Sequence, residues 1–381
     1  MTWKNILIVS GEPSGDLHAA NLVNDLKGLN PGLRFFGIGG NRLKKAGVDI
    51  VFDISGLALV GAVEVLKNIF TVGRAYGAVI SKIDAEKPDL AILVDYPGFN
   101  LRLAKALKKR SIPVVYYISP QVWAWGHDRV NIIKRCVAKI LVFFKFEEEL
   151  YKRYDVDAEF VGHPLLDTVR TALPKQEFLK KYGLAENKKT LALLPGSRRI
   201  EVKSLLRIMI SAARLVEEAL QDVQFVVSKH PDLPMSIYED AVRDSGPAIK
   251  FIEADMYDMV ASSDFAIVAS GTATLETAII GTPLVIIYKA SLITYCLYRL
   301  VAKIAFLGLV NIIAGKEIAP EFLQYDATPE KIAAKVTELL SDGNKLAGIR
   351  EELARVKASL GPTGASMRAA HFILSLGNHY D

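Results

Sequence analysis

The chain has 381 residues, 51% of them hydrophobic, which provides enough apolar material for two folded domains and excludes a largely disordered chain. Its 47 Lys and Arg against 42 Asp and Glu give a net charge of +5, and the cations are dispersed along the chain, so no nucleic-acid partner is expected. The only two cysteines, Cys136 and Cys296, are far apart in the sequence, which argues against a disulfide framework or a zinc site.

The N-terminus leads directly into an apolar strand, Asn5 to Ser10, without the regions of a secretory signal, so we expect a cytoplasmic protein. A loop, Gly11 to Asp16, follows, and a helical pattern runs from Leu17 to Leu29, as at the opening of a βαβ unit. Neither G-x-G-x-x-G after a strand nor G-x-x-x-x-G-K-[ST] occurs. A dinucleotide-dependent oxidoreductase is therefore disfavoured.

A broadly apolar helix is predicted over Leu59 to Arg74, where polar residues recur every three or four positions and leave one narrow polar stripe. Two interpretations fit this pattern equally well: a buried helix, or a helix that lies in a membrane interface beside the substrate cleft. Ser291 to Ala314 is also apolar, but Arg299 and Lys303 near its middle would each cost about 2.5 to 3.5 kcal/mol in a membrane. No transmembrane helix is expected.

Three further strands are predicted in the first half of the chain. They are Leu90 to Val94, Pro113 to Ile118 and Lys139 to Phe143, and they alternate with helical patterns at Arg102 to Arg110 and Arg129 to Arg135. This alternation is typical of a parallel, doubly wound sheet, in which ligands bind at the carboxyl ends of the strands.

Polar and aromatic residues gather at these strand ends. Glu12 and Ser14 follow the first strand, Asp95 follows the strand that ends at Val94, and the segment Ser119 to Trp125 follows the next strand. A lone Asp at such a position is more often a helix cap or a turn residue. Because several functional groups converge on one rim, we expect a binding or catalytic site there.

A second α/β domain is predicted beyond Gly162 to Asp167. A charged helix is expected over Lys175 to Lys189, then a strand at Leu191 to Leu194, a loop containing Gly196, and a helix from Val202. Four more strands are predicted: Val223 to Ser228, Ile249 to Glu253, Phe265 to Ala269 and Leu284 to Tyr288.

The expected fold is therefore α/β, with two Rossmann-like, doubly wound domains that face each other across a cleft. Residues 1–167 would form the N-terminal domain and residues 168–345 the C-terminal, nucleotide-binding domain. Residues 346–381 are predicted to form C-terminal helices, the last of which returns to the first domain.

A nucleotide diphosphate site is predicted after Ala269. The turn Ser270-Gly271-Thr272 presents unpaired backbone N–H groups and the positive end of a helix, which suit a diphosphate. Glu276 is placed to accept hydrogen bonds from both hydroxyls of a ribose. The alternative for Glu276 is a capping box, which the poor cap Ala273 at the third position before it makes less favourable.

A second contact for the diphosphate is predicted in the loop Gly196-Ser197-Arg198, although a surface ion pair is the commoner role of an Arg. A D-x-D sequence occurs at Asp155 to Asp157, but it lies in a helix-to-strand turn away from either rim, so we interpret it as solvated. We expect no metal and no cofactor.

Six segments occur in this order along the chain: SGEPSGD, VDYPGFN, YYISPQVWAWG, LLPGSRRIE, ASGTATLE and NIIAGKE. In these segments the chain closely resembles the lipid-A-disaccharide synthase family (glycosyltransferase family 19) over nearly its whole length. The resemblance implies an inverting GT-B hexosyltransferase. It would transfer 2,3-diacylglucosamine from UDP-2,3-diacylglucosamine to 2,3-diacylglucosamine 1-phosphate, forming the β-1,6-linked lipid A disaccharide 1-phosphate and UDP.

The resemblance also implies which residues are functional: Glu12, Ser14, Asp95, Arg198, Glu276 and Asn311. For inverting transfer we expect Asp95 to take the proton of the acceptor hydroxyl, with Glu12 orienting it or raising its pKa. Arg198 and the turn Ser270 to Thr272 would hold the leaving diphosphate in place of a metal. His18, one turn into the first helix, is the rival base, although a helix-face histidine is more often structural.

The same resemblance associates the apolar helix with membrane attachment. It favours the interfacial interpretation and implies membrane or acyl contacts for Val63, Leu66, Ile69 and Phe70. The expected location is therefore cytoplasmic and peripheral on the inner membrane, and a homodimer is left open.

The chain departs from the family pattern at three positions: Gly126 stands where a basic residue is expected, Val310 replaces a proline, and Ile293 replaces a common aromatic residue. The rival functions within the fold are another GT-B lipid glycosyltransferase and a UDP-sugar 2-epimerase. A non-catalytic nucleotide-binding module is less favoured, because Asp95, Glu12 and Asn311 are predicted to lie together.

Overall fold

The computed structural model describes residues 3–54, 62–123, 128–243, 247–289 and 305–377, with the backbone alone at 62–69 and 128. The chain divides into two compact units. Residues 1–164 and 360–381 form the first unit, and residues 165–359 form the second. The chain thus leaves the first unit once and returns to it near the C-terminus.

The first unit is built on a parallel sheet. Its strands in chain order are β1 (Asn5–Ser10), β2 (Arg34–Gly39), β3 (Asp49–Asp53), β4 (Leu90–Val94), β5 (Val114–Tyr117), β6 (Lys139–Val142) and β7 (Ala158–Phe160). They pair in the order β3-β2-β1-β4-β5-β6-β7. The order reverses between β1 and β4, which is the switch point where sheets of this kind bind ligands. Ser10 pairs with Val94 in the register, so Gly11 and Asp95 leave the sheet at the same level.

The core of the first unit lies on both faces of this sheet. In β1, Leu7 and Val9 belong to one buried cluster, and Ile6 and Ile8 belong to the other. Side chains alternate between the two faces of a strand, and both faces are covered in a doubly wound sheet, so the strand is apolar throughout.

The helices of this part of the chain are α1 (Pro13–Leu29), α2 (Asn41–Lys45), α3 (Ala62–Glu86), α4 (Pro97–Lys108), α5 (Asp128–Cys136) and α6 (Lys145–Arg153). The predicted loop Gly11 to Asp16 is too long, because α1 already begins at Pro13. Proline is favoured in the first turn of a helix, and the Asp16 N–H donates to the Glu12 carbonyl at 2.8 Å. For the same reason α4 begins at Pro97, five residues before the predicted start.

The second unit has a sheet of the same design. Its strands are β8 (Lys189–Leu194), β9 (Val223–Ser228), β10 (Ile249–Ile252), β11 (Phe265–Ala269), β12 (Leu284–Tyr288) and β13 (Glu321–Leu323). They pair in parallel in the order β10-β9-β8-β11-β12-β13, so the switch point lies between β8 and β11. Leu194 pairs with Val268 at the carboxyl ends of these two strands. The short edge strand β13 was not predicted.

The remaining helices are α7 (Leu165–Thr168), α8 (Lys175–Tyr182), α9 (Arg199–Ala219), α10 (Ser236–Val242), α11 (Met256–Ser262), α12 (Thr272–Ile280), α13 (Leu309–Ala314), α14 (Pro329–Ser341), α15 (Gly343–Ser359) and α16 (Ala365–Leu376). The helix predicted over Lys175 to Lys189 is wrong in its second half. Gly183 adopts a left-handed conformation and ends α8, and Lys189 already begins β8.

The last helix, α16, packs on the first unit. Ala369, Ala370 and Ile373 are fully buried in the cluster that contains Ile6 and Ile8. The Trp3 indole N–H donates to the Ile373 carbonyl at 2.9 Å. Residues from both ends of the chain therefore complete one core. In the described part of the chain, no helix is long and apolar enough to cross a membrane.

Candidate functional site

A cavity of about 390 Å³ lies in the second unit at the carboxyl ends of β8 and β11. It is therefore located at the switch point of this sheet, where a ligand is expected. Its walls contain every residue that the sequence predicted for donor binding: Gly196, Ser197, Arg198, Ser270, Gly271, Thr272 and Glu276.

Two helix N-termini meet at this cavity. Arg198 precedes α9 and Gly271 precedes α12, and neither helix start is capped by a hydrogen bond from its N-cap side chain. The first N–H groups of a helix need acceptors, and the helix dipole favours an anion there. The arrangement suits a diphosphate.

The loop before α9 requires a glycine. Gly196 has φ +101°, a backbone conformation that is strained for any residue with a side chain. A Cβ atom there would approach Oε2 of Glu201 to 2.7 Å. Arg198 forms an ion pair with Glu201 at 3.0 Å, and its side chain is 70% exposed. Exposed pairs contribute little stability, so the guanidinium can turn toward an anion at small cost.

Glu276 lies on the cavity wall as a hydrogen-bond acceptor. The hydroxyl of Tyr257 donates to Glu276 Oε1 at 2.9 Å, and burial raises the pKa of the Glu276 carboxyl. The alternative capping box is not formed, because α12 begins at Thr272 and Ala273 already lies inside the helix. One carboxylate oxygen is thus held by Tyr257.

The sequence analysis missed several residues of this cavity, namely Ser228, His230 and Met256 on its wall and Tyr257 beside it. A signal for two of them was present. Ser228 ends the predicted strand β9, and His230 follows it, so both lie at the carboxyl edge of the same parallel sheet.

The first unit carries its functional groups on a strained turn after β4. Asp95 and Tyr96 have φ values of +48° and +45°, although neither is a glycine. Such a conformation costs about 1 to 3 kcal/mol per residue and persists only where neighbouring groups hold it. Here the Tyr116 hydroxyl donates to the Asp95 carbonyl at 2.6 Å, and the Asn100 amide donates to it at 2.7 Å. The Asp95 N–H donates to the Tyr117 carbonyl at 3.1 Å.

The glycines of the SGEPSGD segment give this turn its room. A Cβ atom at Gly11 would lie 2.2 Å from Cδ1 of Tyr96, inside the ring's van der Waals surface. A Cβ atom at Gly15 would lie 2.7 Å from Oγ of Ser10. Gly11 is therefore needed for Tyr96 to close over the end of β1.

The pKa of Asp95 is raised to about 6. Burial is the larger cause and the negative charge of Glu12 the smaller, and a hydrogen bond from the Tyr96 N–H opposes both. Glu12 and Ser14 are exposed at the start of α1. A carboxyl group with this pKa is a better proton acceptor than an ordinary aspartate and is still ionised at neutral pH.

His18 is a weaker base than Asp95. Burial, and to a smaller extent the charge of Arg42, lower the pKa of His18 to about 4. Its ring packs edge-on against Phe143 with the centroids 5.6 Å apart. We therefore assign His18 to the aromatic packing beneath the rim.

Asp16, which ends SGEPSGD, is buried and has a structural role that the sequence did not reveal. Its carboxylate accepts hydrogen bonds from the backbone N–H groups of Gly40 at 2.7 Å and Arg42 at 3.0 Å, at the start of α2. The side chain thus caps α2 from a neighbouring helix.

The comparisons with known proteins agree with this geometry. A family model described as lipid-A-disaccharide synthetase matches residues 6–372. The chain belongs to this family. The lipid-A-disaccharide synthase of Syntrophus aciditrophicus is 45% identical over 99% of this chain and 98% of its own length. That of Geobacter sulfurreducens is 40% identical over 98% of each chain. The protein is therefore a glycosyltransferase that acts as a lipid-A-disaccharide synthase.

Solved structures of more distant proteins share the fold. A UDP-N-acetylglucosamine 2-epimerase described as putative, from Listeria monocytogenes, has a TM-score of 0.64 at 15% identity and covers 100% of this chain and 98% of its own. The calicheamicin glycosyltransferase CalG4 has a TM-score of 0.63 at 16% identity, covering 98% of both chains. Both support the predicted GT-B class of two Rossmann-like domains, and at this identity they bear on the fold alone.

The motifs of the lipid-A-disaccharide synthetase family fall into two groups in the structure. SGEPSGD and VDYPGFN meet at the switch point of the first sheet, and LLPGSRRIE and ASGTATLE meet at that of the second. In the first unit, the charge of Glu12 acts on the Asp95 carboxyl and raises its pKa.

Asn311, predicted as catalytic, has a different environment. It is fully buried, and its amide donates to the Ala319 carbonyl at 2.7 Å and to Glu321 Oε1 at 2.9 Å. Its oxygen accepts from the N–H groups of Ile318 and Ala319 at 2.9 and 3.0 Å. These four bonds use the hydrogen-bonding capacity of the side chain and hold the segment before β13.

Among the predicted membrane contacts, Val63, Leu66 and Ile69 have side chains outside the described residues. Phe70 is described, and its side chain is 84% exposed. In the D-x-D sequence, Asp155 pairs with Lys134 and Asp157 pairs with Lys139, as expected of a solvated turn. Within the described ranges, no group of three or more His, Cys, Asp or Glu is arranged to hold a metal ion.

The remaining predictions concern the two cysteines and the three departures from the family pattern. Cys136 is a half-buried free thiol, whereas Cys296 lies outside the described residues. Gly126 and Ile293, two of the departures from the family pattern, also lie outside them. Val310, the third departure, is fully buried in α13.

Gly11→Ala is expected to reduce turnover by about tenfold or more, because the new methyl group must displace Tyr96 from the Asp95 turn. The matched control is Gly28→Ala in α1, where a Cβ meets nothing and the change should stabilise the helix by up to about 1 kcal/mol. Turnover and urea unfolding midpoints measure both effects. Full turnover of the Gly11 variant would contradict the role assigned to this contact.

Proposed function

We propose that the enzyme transfers 2,3-diacylglucosamine from UDP-2,3-diacylglucosamine to 2,3-diacylglucosamine 1-phosphate with inversion. The products are the β-1,6-linked disaccharide 1-phosphate of lipid A and UDP. One observation carries the proposal, namely the presence of two sites with complementary chemistry. The second unit has an anion site with a carboxylate beside it, and the first unit has a buried carboxylate whose raised pKa suits it to accept a proton. Family membership supports the same reaction.

The second unit would bind the donor. The N-termini of α9 and α12 would hold the diphosphate together with Arg198, and Glu276 would accept hydrogen bonds from the ribose hydroxyls. These fixed donors would stabilise the charge that develops on the leaving UDP, so that no metal is required. Two solved structures of this fold contain related ligands: a Staphylococcus aureus MnaA protein holds UDP, and a Neisseria meningitidis UDP-GlcNAc 2-epimerase holds UDP-GlcNAc.

The first unit would supply the base. The Asp95 carboxylate takes the proton from the acceptor hydroxyl as that oxygen bonds to the anomeric carbon of the donor sugar. The bond from this carbon to the diphosphate breaks on the opposite face, and UDP leaves with the electron pair. Asp95 is held for this role by the strained turn and by the bonds to its main chain.

An apolar groove beside Asp95 supports an acylated acceptor. It has a volume of about 730 Å³, lies between α3 and α4, and is lined by Val72, Tyr76, Tyr96 and Phe99. Arg102 also lines this groove and suits a phosphate. We place an acyl chain of the acceptor in this groove.

The start of α3 would attach the enzyme to the membrane that holds these lipids. Phe70 lies one half-turn before Val72 and is exposed to solvent, as expected of a side chain that enters a lipid surface. We therefore propose peripheral attachment to the cytoplasmic surface of the inner membrane through α3.

A direct assay tests the proposed function. The purified enzyme is given the acylated UDP-sugar and the acylated sugar phosphate, together and separately, with and without EDTA. We expect disaccharide and UDP in equal amounts only when both substrates are present, and no loss with EDTA. Free sugar or an epimerised UDP-sugar without disaccharide would contradict the proposal and favour hydrolysis or 2-epimerisation.

The pH dependence of kcat/KM for the acceptor tests the base. Because the pKa of Asp95 is raised to about 6 and its ionised form is active, the rate should fall as the pH drops through about 6. In Glu12→Gln this midpoint should move to lower pH, since a charge that raises the pKa is gone. The shift should be only partial, because burial is the larger cause. Asp95→Asn should lose about 10²- to 10⁴-fold in turnover.

Glu149→Gln is the control for Glu12→Gln, since Glu149 is exposed and its loss removes the same charge away from the rim. Its profile should match the wild type. An unchanged midpoint in Glu12→Gln, or near-normal turnover in Asp95→Asn, would remove Asp95 from the role of base.

Glu276→Ala should weaken UDP binding by roughly 10- to 100-fold, because hydrogen bonds to a charged group contribute about 1.5 to 3 kcal/mol each. Calorimetry with UDP and its 2′,3′-dideoxy analogue measures this. The wild type should prefer UDP, and the variant should bind both equally. A variant that keeps the preference would show that Glu276 does not contact the ribose.

A further inference from the structure

A buried carboxylate that the reaction above does not use lies beneath the loop that follows β5. Glu147, in the first turn of α6, is only 4% exposed. Its Oε1 atom accepts hydrogen bonds from Ser119 Oγ at 2.8 Å and from Trp123 Nε1 at 3.2 Å. One oxygen atom therefore ties together both ends of the segment Ser119 to Trp123.

The same helix holds the middle of this segment. Tyr151, one turn after Glu147 and fully buried, donates its hydroxyl hydrogen bond to the Pro120 carbonyl at 3.3 Å. The ring of Trp123 packs edge-on against Phe146 of α6 with the centroids 5.6 Å apart. The loop is thus fastened to α6 through polar and aromatic contacts.

A strained residue joins this loop to β5. Ile118 has φ +67°, which is a rare conformation for a β-branched side chain and costs about 1 to 3 kcal/mol. Such a turn persists only if the residues beyond it are held in place. Ser119 is the next residue, and its hydroxyl donates the hydrogen bond that Glu147 accepts.

The end of β5 in turn supports Asp95. Tyr116 of β5 donates to the Asp95 carbonyl at 2.6 Å, and the carbonyl of Tyr117 accepts from the Asp95 N–H at 3.1 Å. A shift of the loop at Ile118 would therefore disturb these two hydrogen bonds to the Asp95 main chain. Two strained turns, one after β4 and one after β5, are held side by side.

Burial is costly for Glu147. Burial raises the pKa of this carboxyl and the hydrogen bonds from Ser119 and Trp123 lower it, with a net pKa of about 7. Removing a carboxyl group from water is unfavourable, and the hydrogen bonds from Ser119 and Trp123 offset part of this cost, so the contribution of the side chain lies in holding these two residues.

We infer that Glu147 is a positioning residue of the acceptor side of the active site, which fixes the loop Ser119 to Trp123 and, through the Ile118 turn and β5, the main chain of Asp95. This inference rests on the proposed function only for the role of Asp95. The donor pocket is formed by the second unit and is not part of this chain of contacts.

Kinetics of Glu147 variants test this role. Glu147→Ala should reduce kcat/KM for the acceptor by about tenfold or more, because misplacing a reacting group by about 1 Å can cost 10²-fold. The Kd for UDP should stay within about twofold of wild type, as for a change that leaves the donor site untouched. Glu147→Gln keeps an acceptor oxygen and should recover part of the rate. Glu149→Gln, exposed on the same helix, should behave as wild type.

Fluorescence of Trp123 gives a readout that does not depend on activity. In a chain with Trp3→Phe and Trp125→Phe, Trp123 is the remaining tryptophan. Adding Glu147→Ala should increase its quenching by acrylamide, because the bond that holds the indole is gone, and Glu149→Gln should not. If Glu147→Ala does not fold, Ser119→Ala and Trp123→Phe, which each remove one donor, should each lower acceptor kcat/KM and leave UDP binding unchanged.

Two kinetic outcomes would overturn the inference: acceptor kinetics of Glu147→Ala equal to wild type, or equal losses for acceptor and UDP, which indicate general destabilisation. Unchanged quenching of Trp123 would overturn it as well. Failure of the proposed function can be distinguished from failure of this inference. In the first case the wild type forms no disaccharide, while the quenching experiment still reports on the loop.

Discussion

The parallel register at the two switch points is the constraint on which the site depends. In the first sheet Ser10 lies beside Val94, and in the second Leu194 lies beside Val268. Because the strands are parallel, the chain leaves both neighbours at the same edge, and the crossovers diverge to opposite sides. Each sheet therefore opens a space at its switch point. The residues predicted to be functional after β1, β4, β8 and β11 follow the strands on either side of that space.

The two units use this space differently. In the second, helix N-termini and a flexible Arg198 present positive charge that an anionic ligand can neutralise. In the first, strain and burial act together on Asp95: left-handed φ angles place the residue, and removal from water makes its carboxylate more basic. Binding of a leaving group and activation of a nucleophile require these opposite electrostatic environments.

Much of this could be predicted from the sequence, because strands buried on both faces are continuous apolar runs and strand ends carry the polar residues. The cavity predicted to bind a nucleotide could be located for the same reason, since Ser270 to Thr272 and Glu276 are close together in the sequence and line one cavity. The limits of α1 and α4 were misplaced because Pro13 and Pro97 were assigned to loops, although proline suits a first helical turn.

The interactions that escaped prediction join residues distant in sequence. Asp16 caps α2 from another helix, and Glu147 holds Ser119 across an intervening helix. Nothing in the neighbouring residues signals either contact. Asn311 shows the converse: the motif that contains it is local in sequence, but the four hydrogen bonds that use the whole capacity of its side chain are seen only in the structure.

The return of the chain to the first unit has a consequence for biosynthesis. Ala369, Ala370 and Ile373 complete a hydrophobic cluster whose other buried members lie between Trp3 and Val161. A ribosome synthesises the first 164 residues long before these three. Part of the apolar face of α1 therefore stays uncovered while the whole second unit is translated. The domain that emerges first is thus the last to be completed, and during that interval a nascent chain of this enzyme is exposed to aggregation and to chaperones.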